Sequence, residues 1–254
     1  MKIELLTQKE DLAAIHLLQK EIYRLDAEDS LPYHTLVTLF TSGCLIYKVN
    51  DGPKIVGFSI LIFGKDNTHH QFLHLYMIGV QKSYQKKNIA FKLMEKQKAD
   101  AKARGIYLIK WSFNPYSCQL ANFYINKCKS ELGNNYRTDM YLKEPVNSLN
   151  ADRVIGFIDL NHKDQSIKNE SIINAELHQL HSYTAIDTTA AQSEGRCLNS
   201  RLKLYIPSEK ITSNKERIKI YRDVFSRLLK HYFLVKFDAT DRLGVYYFYK
   251  LPLE

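Results

Sequence analysis

Apolar residues near the start of the chain predict one strand followed by two helices. The strand is predicted at Lys2 to Leu6, and a helix follows from about Lys9 to Arg24. The apolar positions of that helix are Leu12, Ile15, Leu18 and Ile22. A second helix is predicted to begin near Pro32 and to end at Gly43.

Three apolar runs then follow with the length and boundaries of strands. They are Cys44 to Val49, Lys54 to Phe63 and Gln71 to Val80. The sequence Asn50-Asp51-Gly52 between the first two is typical of a tight turn. After them we expect a basic helix, a strand, a further helix and a short last strand. These four lie after Asn88, at Ile106 to Phe113, at about Ser117 to Lys127 and near Tyr141.

The last hundred residues predict a second, shorter set of elements. Strands are predicted at Asp152 to Leu160, Arg201 to Ile206, Phe233 to Phe237 and Val245 to Leu251. The stretch from Ser166 to Ser193 is polar and is predicted to include loop. Ser213 and Glu216 form a capping-box pattern ahead of a helical stripe. The stripe consists of Ile218, Tyr221, Phe225 and Leu228.

The junction between the third apolar run and the basic helix has the features of an anion-binding site. It reads Val80-Gln81-Lys82-Ser83-Tyr84-Gln85-Lys86-Lys87-Asn88-Ile89-Ala90. The first N–H groups of a helix lack partners within the helix and carry the positive end of its dipole, so they can bind a diphosphate. Asn88 tolerates a left-handed backbone, and Ala90 leaves room for close contact. The lysines of the junction add positive charge at the same end.

The run Gln85-Lys86-Lys87-Asn88-Ile89-Ala90 after Val80 resembles the acyl-CoA diphosphate loop of the GNAT acyltransferase superfamily. That loop reads Gln or Arg, two variable residues, Gly, any residue, and then Gly or Ala. Here Asn88 stands in place of the central glycine. The resemblance implies an α/β (α+β) GNAT fold with a mixed central sheet flanked by helices. The predicted element order, β-α-α-β-β-β-α-β-α-β, matches that fold.

The resemblance extends beyond the loop to a branch of bacterial GNAT proteins with a long C-terminal extension. It is carried by Leu73-His74, Trp111-Ser112-Phe113-Asn114-Pro115, Tyr136 to Tyr141, Leu149-Asn150-Ala151-Asp152-Arg153-Val154 and Ile206-Pro207. It implies a GNAT acyl-CoA-binding domain at 1–145 and a C-terminal α/β extension at 146–254 that shapes the acceptor pocket. Because strand, helix, strand, strand repeats the second half of the GNAT order, one interpretation of the extension is a degenerate GNAT-like half.

The chemistry that the resemblance implies is direct transfer of an acyl group from acetyl-CoA, or another acyl-CoA, to a primary amine of a small molecule or amino acid. A deprotonated amine attacks the thioester carbonyl, backbone N–H groups polarise that carbonyl, and an acid protonates the leaving thiolate. The backbone expected to meet pantetheine and the carbonyl belongs to Ile78, Gly79 and Val80. The residues expected to bind the diphosphate are Gln85, Lys86, Lys87, Asn88, Ile89 and Ala90.

Tyr124 is the residue that the resemblance favours as the acid, because many GNAT enzymes carry a tyrosine on the helix after the strand that holds Trp111. Ser117 and Cys128 depart from the family's usual Asn and Gly around it. The alternative for Tyr124 is a packing role, since tyrosine is commonly half-buried with its hydroxyl in contact with water. Both interpretations stay open at this point.

Further candidates lie on two other strands. His74 and Tyr76 alternate on one face of the strand that leads to the loop, so both are candidates to line the acceptor cleft. The ordinary pKa of histidine is close to neutral, which suits His74 to remove a proton directly or through water. A strand histidine also has common structural roles. Asp152 and Arg153 are candidates to hold a charged acceptor, or to bind each other.

Composition narrows the classes of protein that fit. With 254 residues and 45% hydrophobic residues, the chain can bury a sizeable core. Its longest apolar run, Ile55 to Phe63, is too short to span a bilayer, and the N-terminus lacks a signal-peptide pattern, so a cytoplasmic protein is expected. The cysteines form no CxxC pair, which predicts free thiols and no structural zinc. They are Cys44, Cys118, Cys128 and Cys197.

The net charge of +9 leaves nucleic acid open as a partner. The positive excess lies mainly on one helix, where eight Lys or Arg between Lys82 and Arg104 stand against Glu95 and Asp100. Three functions therefore remain, in this order: an N-acyltransferase, a non-catalytic GNAT-like module that binds an acyl-CoA or a protein partner, and a nucleic-acid-binding protein. No metal or membrane partner is expected. A homodimer stays open, because Val245 to Leu251 has the character of an edge strand.

Overall fold

The computed structural model describes residues 1–23, 30–140, 149–161, 184–185, 201–205, 215–239 and 244–249. The chain divides into two compact units, one of Met1–Trp111 with Asp159–Asn161 and one of Ser112–Ile158 with His162–Glu254. The predicted domain boundary at residue 145 stays a prediction. Several predictions fall outside the described residues: those on Tyr141, Cys197, Ile206-Pro207, Ser213 and most of Ser166 to Ser193.

The first unit is a mixed sheet flanked by helices. Its elements are β1 (Lys2–Leu5), α1 (Asp11–Tyr23), α2 (Tyr33–Thr41), β2 (Leu45–Asp51), β3 (Lys54–Lys65), β4 (Gln71–Val80), α3 (Ile89–Ala103) and the start of β5 (Leu108–Phe113). Strands β1 to β4 pair in sequence order as antiparallel neighbours, and β5 joins β4 in parallel. A parallel neighbour requires a crossover connection, which α3 supplies. The predicted fold class is confirmed.

Helices α1 and α2 bury their apolar faces in one cluster with the sheet. Its buried members are Leu6, Leu12, Ile15, Leu18, Leu36, Ile46, Phe58 and Ile60. A second set of side chains is buried along α3, namely Ile89, Leu93, Met94, Gln97 and Ala101. Gln97 Nε2 donates to Ser59 Oγ at 2.6 Å, which ties α3 to β3. Since full burial of one large aliphatic side chain contributes about 1.5–3 kcal/mol, these two sets stabilise the first unit.

The structure confirms the predicted elements up to Phe113, with ends that differ by a few residues. Strand β4 covers the predicted Gln71 to Val80, and α1 begins two residues after the predicted start. Gly43 and Gly52 have φ values of +82° and +58°. These positive angles are the backbone that a helix end and a tight turn require, and glycine adopts them at least cost.

Gly64 on β3 lies opposite Phe72 on β4, and its missing side chain leaves room for the phenyl ring. A Cβ added at Gly64 would lie 2.4 Å from Phe72 Cζ. Gly64→Ala should therefore displace the ring and lower the free energy of unfolding by about 1–3 kcal/mol, as overpacking does. Denaturant unfolding measures the change. Gly133→Ala is the control, because a Cβ there meets its nearest atom at 3.5 Å. Equal stability of the two variants would contradict the prediction.

The second unit combines a short helical segment with strands and one long helix. It contains the end of β5, α4 (Cys118–Ala121), a π-helix (Asn122–Lys127), β6 (Glu131–Arg137), β7 (Arg153–Asp159), β8 (Thr184–Ala185), β9 (Arg201–Tyr205), α5 (Lys215–His231), β10 (Phe233–Ala239) and β11 (Gly244–Tyr249). Strand β6 pairs with β7, and a separate sheet has the order β10-β11-β9-β8. The strand, helix, strand, strand order predicted after Arg201 is confirmed.

Two features of the second unit differ from the sequence-based expectations. Strand β6 at Glu131–Arg137 was not predicted, whereas the strand predicted near Tyr141 lies outside the described residues. The run Gly133-Asn134-Asn135 inside β6 favours a turn, and a register shift between Leu132 and Tyr136 accommodates it within the strand. The helix predicted from Ser117 to Lys127 is present, but its hydrogen bonding changes from α to π at Asn122.

The part of the chain that the structure describes was compared with two specific patterns, a membrane-spanning helix and a group of metal ligands. None of its helices has both the length and the apolar character to cross a membrane. Its His, Cys, Asp and Glu side chains form no group of three that could hold a metal ion. The described cysteines are free thiols, Cys44, Cys118 and Cys128.

Candidate active site

The pairing between β4 and β5 is short and ends in the middle of β4. Within the described residues, two register pairs join the strands, Leu73 with Ile109 and His74 with Lys110. Trp111, which is 1% exposed, follows the last pair on β5. Strand β4 continues to Val80, paired with β3 on its other side. On the β5 side, the second half of β4 therefore has no register partner among the strands that the structure describes.

A β-bulge interrupts β4 just after this pairing ends. The register moves from Leu61 opposite Leu75 to Ile60 opposite Met77, so Tyr76 is an extra residue on β4. A bulge bends its strand and redirects the backbone beyond it. The backbone of β4 after Tyr76 is therefore expected to run in a different direction from the segment that pairs with β5.

The hydrogen bonds between β3 and β4 determine which backbone groups of β4 point away from β3. The N–H of Gln81 donates to the Val56 carbonyl at 2.9 Å. Bonded and non-bonded pairs alternate along an antiparallel ladder. The backbone groups of Gly79 are therefore turned toward β3, whereas those of Ile78 and Val80 are turned away from it.

Two side chains engage the outward carbonyls of this segment. Tyr23 Oη donates to the Ile78 carbonyl at 2.6 Å, and Gln85 Nε2 donates to the Val80 carbonyl at 2.9 Å. Desolvation raises the pKa of Tyr23 to about 12, so its hydroxyl remains a donor at neutral pH. With both carbonyls engaged, this edge presents the N–H groups of Ile78 and Val80, which suits it to bind a carbonyl oxygen.

Gly79 lies where α1 packs on the end of β4. An added Cβ would lie 3.1 Å from Ile22 Cδ1 and 3.2 Å from Phe58 Cε1. Helix packing is thus sufficient to account for a glycine at this position. The role expected of its backbone toward pantetheine stays a prediction.

The loop after β4 contains two non-glycine residues with left-handed backbone. Lys86 has a φ of +61°, and Asn88, the N-cap of α3, has a φ of +59° and a ψ of +18°. The left-handed backbone expected to be accessible at Asn88 is confirmed, whereas that of Lys86 was missed. This backbone costs a long side chain such as Lys86 on the order of 1–2 kcal/mol. Left-handed residues in a turn make N–H concavities that bind anions.

The N-terminus of α3 has the charge and hydrogen-bond donors that a diphosphate needs. Its first turn contains no acidic residue, and the Asn88 side chain makes no capping bond to the helix. The first bond of the helix runs from the Lys92 N–H to the Asn88 carbonyl at 3.0 Å, so the N–H groups of 89–91 have no intrahelical partner. Lys86 and Lys87 are exposed beside them. The predicted diphosphate residues therefore lie together, in the positively charged loop 85–88 and the first turn of α3.

His74 and Tyr76 are both less buried than their neighbours Leu73 and Leu75, in line with the prediction that they share a face of β4. Tyr76 is 47% exposed. Burial and, to a smaller extent, the positive charge of Lys110 lower the pKa of His74 below its ordinary value of 6.5. His74 is consequently neutral at pH 7 and able to accept a proton.

Tyr124 lies in the second unit, within the π-helix. It is 5% exposed, and its ring centroid lies 5.0 Å from that of Phe113 and 4.9 Å from that of Phe123. This environment fits the packing role that the sequence left open, and the role of acid stays a prediction.

Within the π-helix that carries Tyr124, the Asn126 side chain makes two hydrogen bonds. Asn126 Nδ2 donates to Asn122 Oδ1 at 2.8 Å and to the Phe237 carbonyl at 2.7 Å. Single π-turns are rare and are frequent at functional sites. No sequence pattern indicated this turn.

Asp152 is fully buried in the second unit and binds Arg222, which is 70 residues away in the chain. Arg222 Nε donates to Asp152 Oδ2 at 2.9 Å, and Arg222 Nη2 donates to Oδ1 at 2.7 Å. Tyr136 Oη also donates to Oδ2, and the Asp139 N–H donates to Oδ1 at 3.3 Å. Each carboxylate oxygen of Asp152 thus accepts from two donors.

The sequence suggested that Arg153 and Asp152 bind each other. Arg153 does bind Asp152, but through the backbone carbonyl of Asp152 and not through its carboxylate. Arg153 Nη1 donates to the backbone carbonyl of Asp152 at 2.8 Å. The carboxylate partner is Arg222, which sequence reasoning missed because nothing in the local sequence marks a contact of this range. The predicted acceptor roles of Asp152 and Arg153 stay predictions, and the burial of Asp152 supports a structural role.

Comparison with known proteins covers the part of the chain that contains β4 and the loop before α3. Residues 9–128 match the model of the Acetyltransferase (GNAT) family. These residues belong to the GNAT family. No curated protein sequence matches the chain.

Solved structures share the GNAT fold. The ribosomal-protein-S18-alanine N-acetyltransferase from Escherichia coli is 15% identical, with a TM-score of 0.52 over 64% of this chain and 96% of that chain. Aminoglycoside 6'-acetyltransferase type Ii is 14% identical, with a TM-score of 0.52 over 65% and 100%. The protein yncA from Salmonella typhimurium, solved with its cofactor acetyl-CoA, is 12% identical, with a TM-score of 0.52 over 65% of this chain and 96% of that chain. At these identities the likeness shows the fold alone.

Proposed function

We propose that this GNAT protein is an acyl-CoA-dependent N-acyltransferase that transfers an acetyl group from acetyl-CoA to a primary amine of a small molecule or amino acid. The observation that carries the proposal is the placement of a β4 edge with outward N–H groups directly before a positively charged loop at the N-terminus of α3. The first feature suits a thioester carbonyl, and the second suits a diphosphate.

The reaction would proceed by direct attack. The amine forms a bond to the thioester carbon, and the carbonyl oxygen takes negative charge that the N–H of Ile78 or Val80 stabilises. The C–S bond then breaks, and the thiolate takes a proton. We assign the proton acceptor for the amine to His74 and the proton donor for the thiolate to Tyr124.

A transfer assay with Tyr124→Phe tests the proposal. The assay offers acetyl-CoA and a panel of amines, and it measures the release of the CoA thiol over time. The wild-type protein should show turnover. The variant should lose at least about tenfold in kcat while its Kd for acetyl-CoA stays unchanged, because a positioned acid contributes about 10²-fold or more. Tyr107→Phe is the control, since Tyr107 is 40% exposed and lies in the first unit, whereas Tyr124 lies in the second. Unchanged turnover in Tyr124→Phe would refute the role of acid.

The pH profile of kcat/KM tests His74. Because the pKa of His74 is lowered in the folded protein, activity should stay level through neutral pH and fall only below 6.5. His74→Gln should remove this acid limb together with most of the activity. The lowered pKa also means that the unfolded chain binds the proton more readily, so stability decreases as the pH falls below 6.5. Circular dichroism at each pH separates unfolding from loss of catalysis.

A non-catalytic GNAT-like module is the second candidate. It is favoured by Asn88, which places a side chain beside the diphosphate where the family has glycine, and by the burial of Tyr124. Acetyl-CoA binding without transfer to any amine would support this candidate. Nucleic-acid binding has less support, because Lys96 and Lys98 of α3 pair with Asp100 and Glu95.

Two further properties belong to the proposal. We place the protein in the cytoplasm, since the described cysteines are free thiols, as is usual in a reducing compartment. We also propose that the C-terminal extension, residues 146–254, shapes the acceptor pocket.

A further inference from the structure

The sheet formed by β8 to β11 has one face packed against α5. The ring centroid of Phe225 on α5 lies 5.1 Å from that of Tyr246 and 6.1 Å from that of Phe248, both on β11. Leu204 and Leu202 of β9 are the register partners of these two residues and are also buried. Because side chains alternate along a strand, the residues between them belong to the opposite face. That face has no role in the mechanism above.

The opposite face of this sheet combines tyrosines with basic residues. The register places Tyr247 of β11 between Lys203 of β9 and Lys236 of β10. It also places Tyr249 opposite Arg201. We call this surface the tyrosine face. Its members on the three strands are at least partly exposed, and they are Arg201, Lys203, Tyr205, Lys236, Asp238, Val245, Tyr247 and Tyr249.

The three tyrosines form a continuous row. Tyr247 and Tyr249 are two residues apart on β11, which corresponds to about 7 Å along the strand. Tyr205 is the register partner of Val245, so it lies diagonally across from Tyr247, about 7–8 Å away. Tyr205 is 39% exposed. The row therefore presents aromatic rings at regular spacing on two neighbouring strands.

Two cations lie beside the outer rings of the row. Arg201 Cζ lies 5.6 Å from the ring centroid of Tyr249, and Lys203 Nζ lies 6.0 Å from that of Tyr205. Both distances are within the range of cation–π contacts. The basic groups are thus held next to the aromatic rings, where a ligand that stacks on a ring would also meet a positive charge.

The acidic residue of the tyrosine face, Asp238, is engaged within it. Lys236 Nζ lies 2.6 Å from Asp238 Oδ1. Burial raises the pKa of Tyr247, and so do the charge of Asp238 and a hydrogen bond to its carboxylate. The Tyr247 hydroxyl is therefore neutral at pH 7. With Asp238 paired to Lys236, the charges of Arg201 and Lys203 leave the face positive.

We propose that the tyrosine face binds single-stranded nucleic acid. The bases of a single strand are free to stack on the tyrosine rings, whereas those of a duplex are already stacked on each other. The phosphates of the strand would contact Arg201 and Lys203. An open sheet face with aromatic residues on neighbouring strands is suited to this mode of binding.

The composition of the face favours nucleic acid over an acidic protein partner. Protein interfaces are depleted in lysine, whereas Lys203 and Lys236 both belong to this face, and Val245 is its aliphatic residue. The tyrosine face is also a different surface from α3, and binding to it does not depend on acyl transfer.

Fluorescence anisotropy with labelled oligo(U) and oligo(dT) of about 12 nucleotides tests the proposal. Tyr247→Ala should weaken binding about tenfold, because it removes one ring on which a base stacks. Tyr247→Phe keeps the ring and should retain most of the affinity. Tyr107→Ala removes an exposed tyrosine of the first unit and should leave the affinity unchanged. Circular dichroism confirms that each variant is folded.

The salt dependence of binding tests the basic residues with all the rings in place. Lys203→Gln should lower the affinity and reduce the slope of log K against log salt by about 0.7, the value for one phosphate contact to a single strand. Lys219→Gln, at an exposed position on α5, is the matched control and should leave the slope unchanged. A purely structural role of Lys203 would leave the slope as it is in the wild-type protein and would contradict the phosphate contact.

Three results would overturn the inference. They are no binding by the wild-type protein, equal affinities of Tyr247→Ala and Tyr107→Ala, and tighter binding of a duplex than of a single strand. Polyglutamate is a further arm. Displacement of the oligonucleotide by polyglutamate at equal charge would assign the face to acidic protein segments and refute nucleic acid.

Saturating acetyl-CoA separates the tyrosine face from the loop before α3. The affinity for the oligonucleotide should stay the same when acetyl-CoA is present, and competition between the two would place the oligonucleotide at the loop and overturn the inference. If the oligonucleotide binds through Tyr247 and no amine is acetylated, only the proposed function fails.

Discussion

Asp152→Asn is expected to lower the free energy of unfolding by about 3 kcal/mol, because it breaks a buried ion pair. Both oxygens of Asp152 accept from two donors, through Arg222, Tyr136 and the Asp139 N–H. In asparagine one oxygen becomes an NH₂ group. Whichever way the amide is oriented, this group faces two donors, and Arg222 loses its strongest partner. Denaturant unfolding followed by far-UV circular dichroism measures the loss.

Asp139→Asn is the matched control for this prediction. Asp139 also binds Arg222, but its two contacts are longer, at 3.2 Å each. Its φ is +48°, a backbone that asparagine tolerates well, so the substitution changes the charge with little change in conformation. A loss of about 1 kcal/mol is expected, the usual worth of a weaker charged contact. If Asp152→Asn were no more damaging than Asp139→Asn, Asp152 would not be the central acceptor of this network.

Asn88→Asp is expected to weaken the binding of acetyl-CoA at least about tenfold without destabilising the protein. A carboxylate at the N-cap of α3 would lie beside the N–H groups assigned to the diphosphate and would repel it. The same carboxylate is as good an N-cap as asparagine and interacts favourably with the helix dipole. Aspartate also accepts the left-handed backbone of this position. Calorimetric titration with acetyl-CoA and with free CoA measures the affinity.

Two control variants accompany the titration. Gln71→Glu makes the same change in net charge at an exposed position at the start of β4, and it should leave the affinity unchanged. Asn88→Gly introduces the family's own residue, removes the side chain beside the diphosphate and should keep or increase the affinity. Equal affinities of Asn88→Asp and wild type would refute the loop as the diphosphate site.

The framework of the GNAT domain could be predicted because its signals are local. Alternating and three-to-four-residue apolar spacing identified the strands and helices of the first unit, and the turn residues Gly43 and Gly52 marked where they end. The loop before α3 was also visible, since Asn88 is a residue type that tolerates the backbone it adopts. Each of these depends on residues that lie close together in the chain.

The details of the candidate site depend on contacts that sequence spacing does not encode. The bulge at Tyr76 is defined only by the register with β3, and the left-handed backbone of Lys86 is unusual for its residue type. Within the π-turn around Tyr124, Asn126 donates to the Phe237 carbonyl, 111 residues away in the chain. For the same reason Arg222 could not be recognised as the partner of Asp152.

Trp111 gives this protein a built-in optical reporter. It is the single tryptophan among 17 tyrosines, is 1% exposed, and directly follows the last residue pair that joins β4 to β5. Its emission, excited selectively, should shift to longer wavelength when this part of the sheet opens to water. A melt followed by tryptophan fluorescence would therefore report the unfolding of the first unit. In Asp152→Asn, its midpoint can be compared with that of a melt followed by tyrosine fluorescence, which weights the tyrosine-rich second unit. Neither measurement needs an added label.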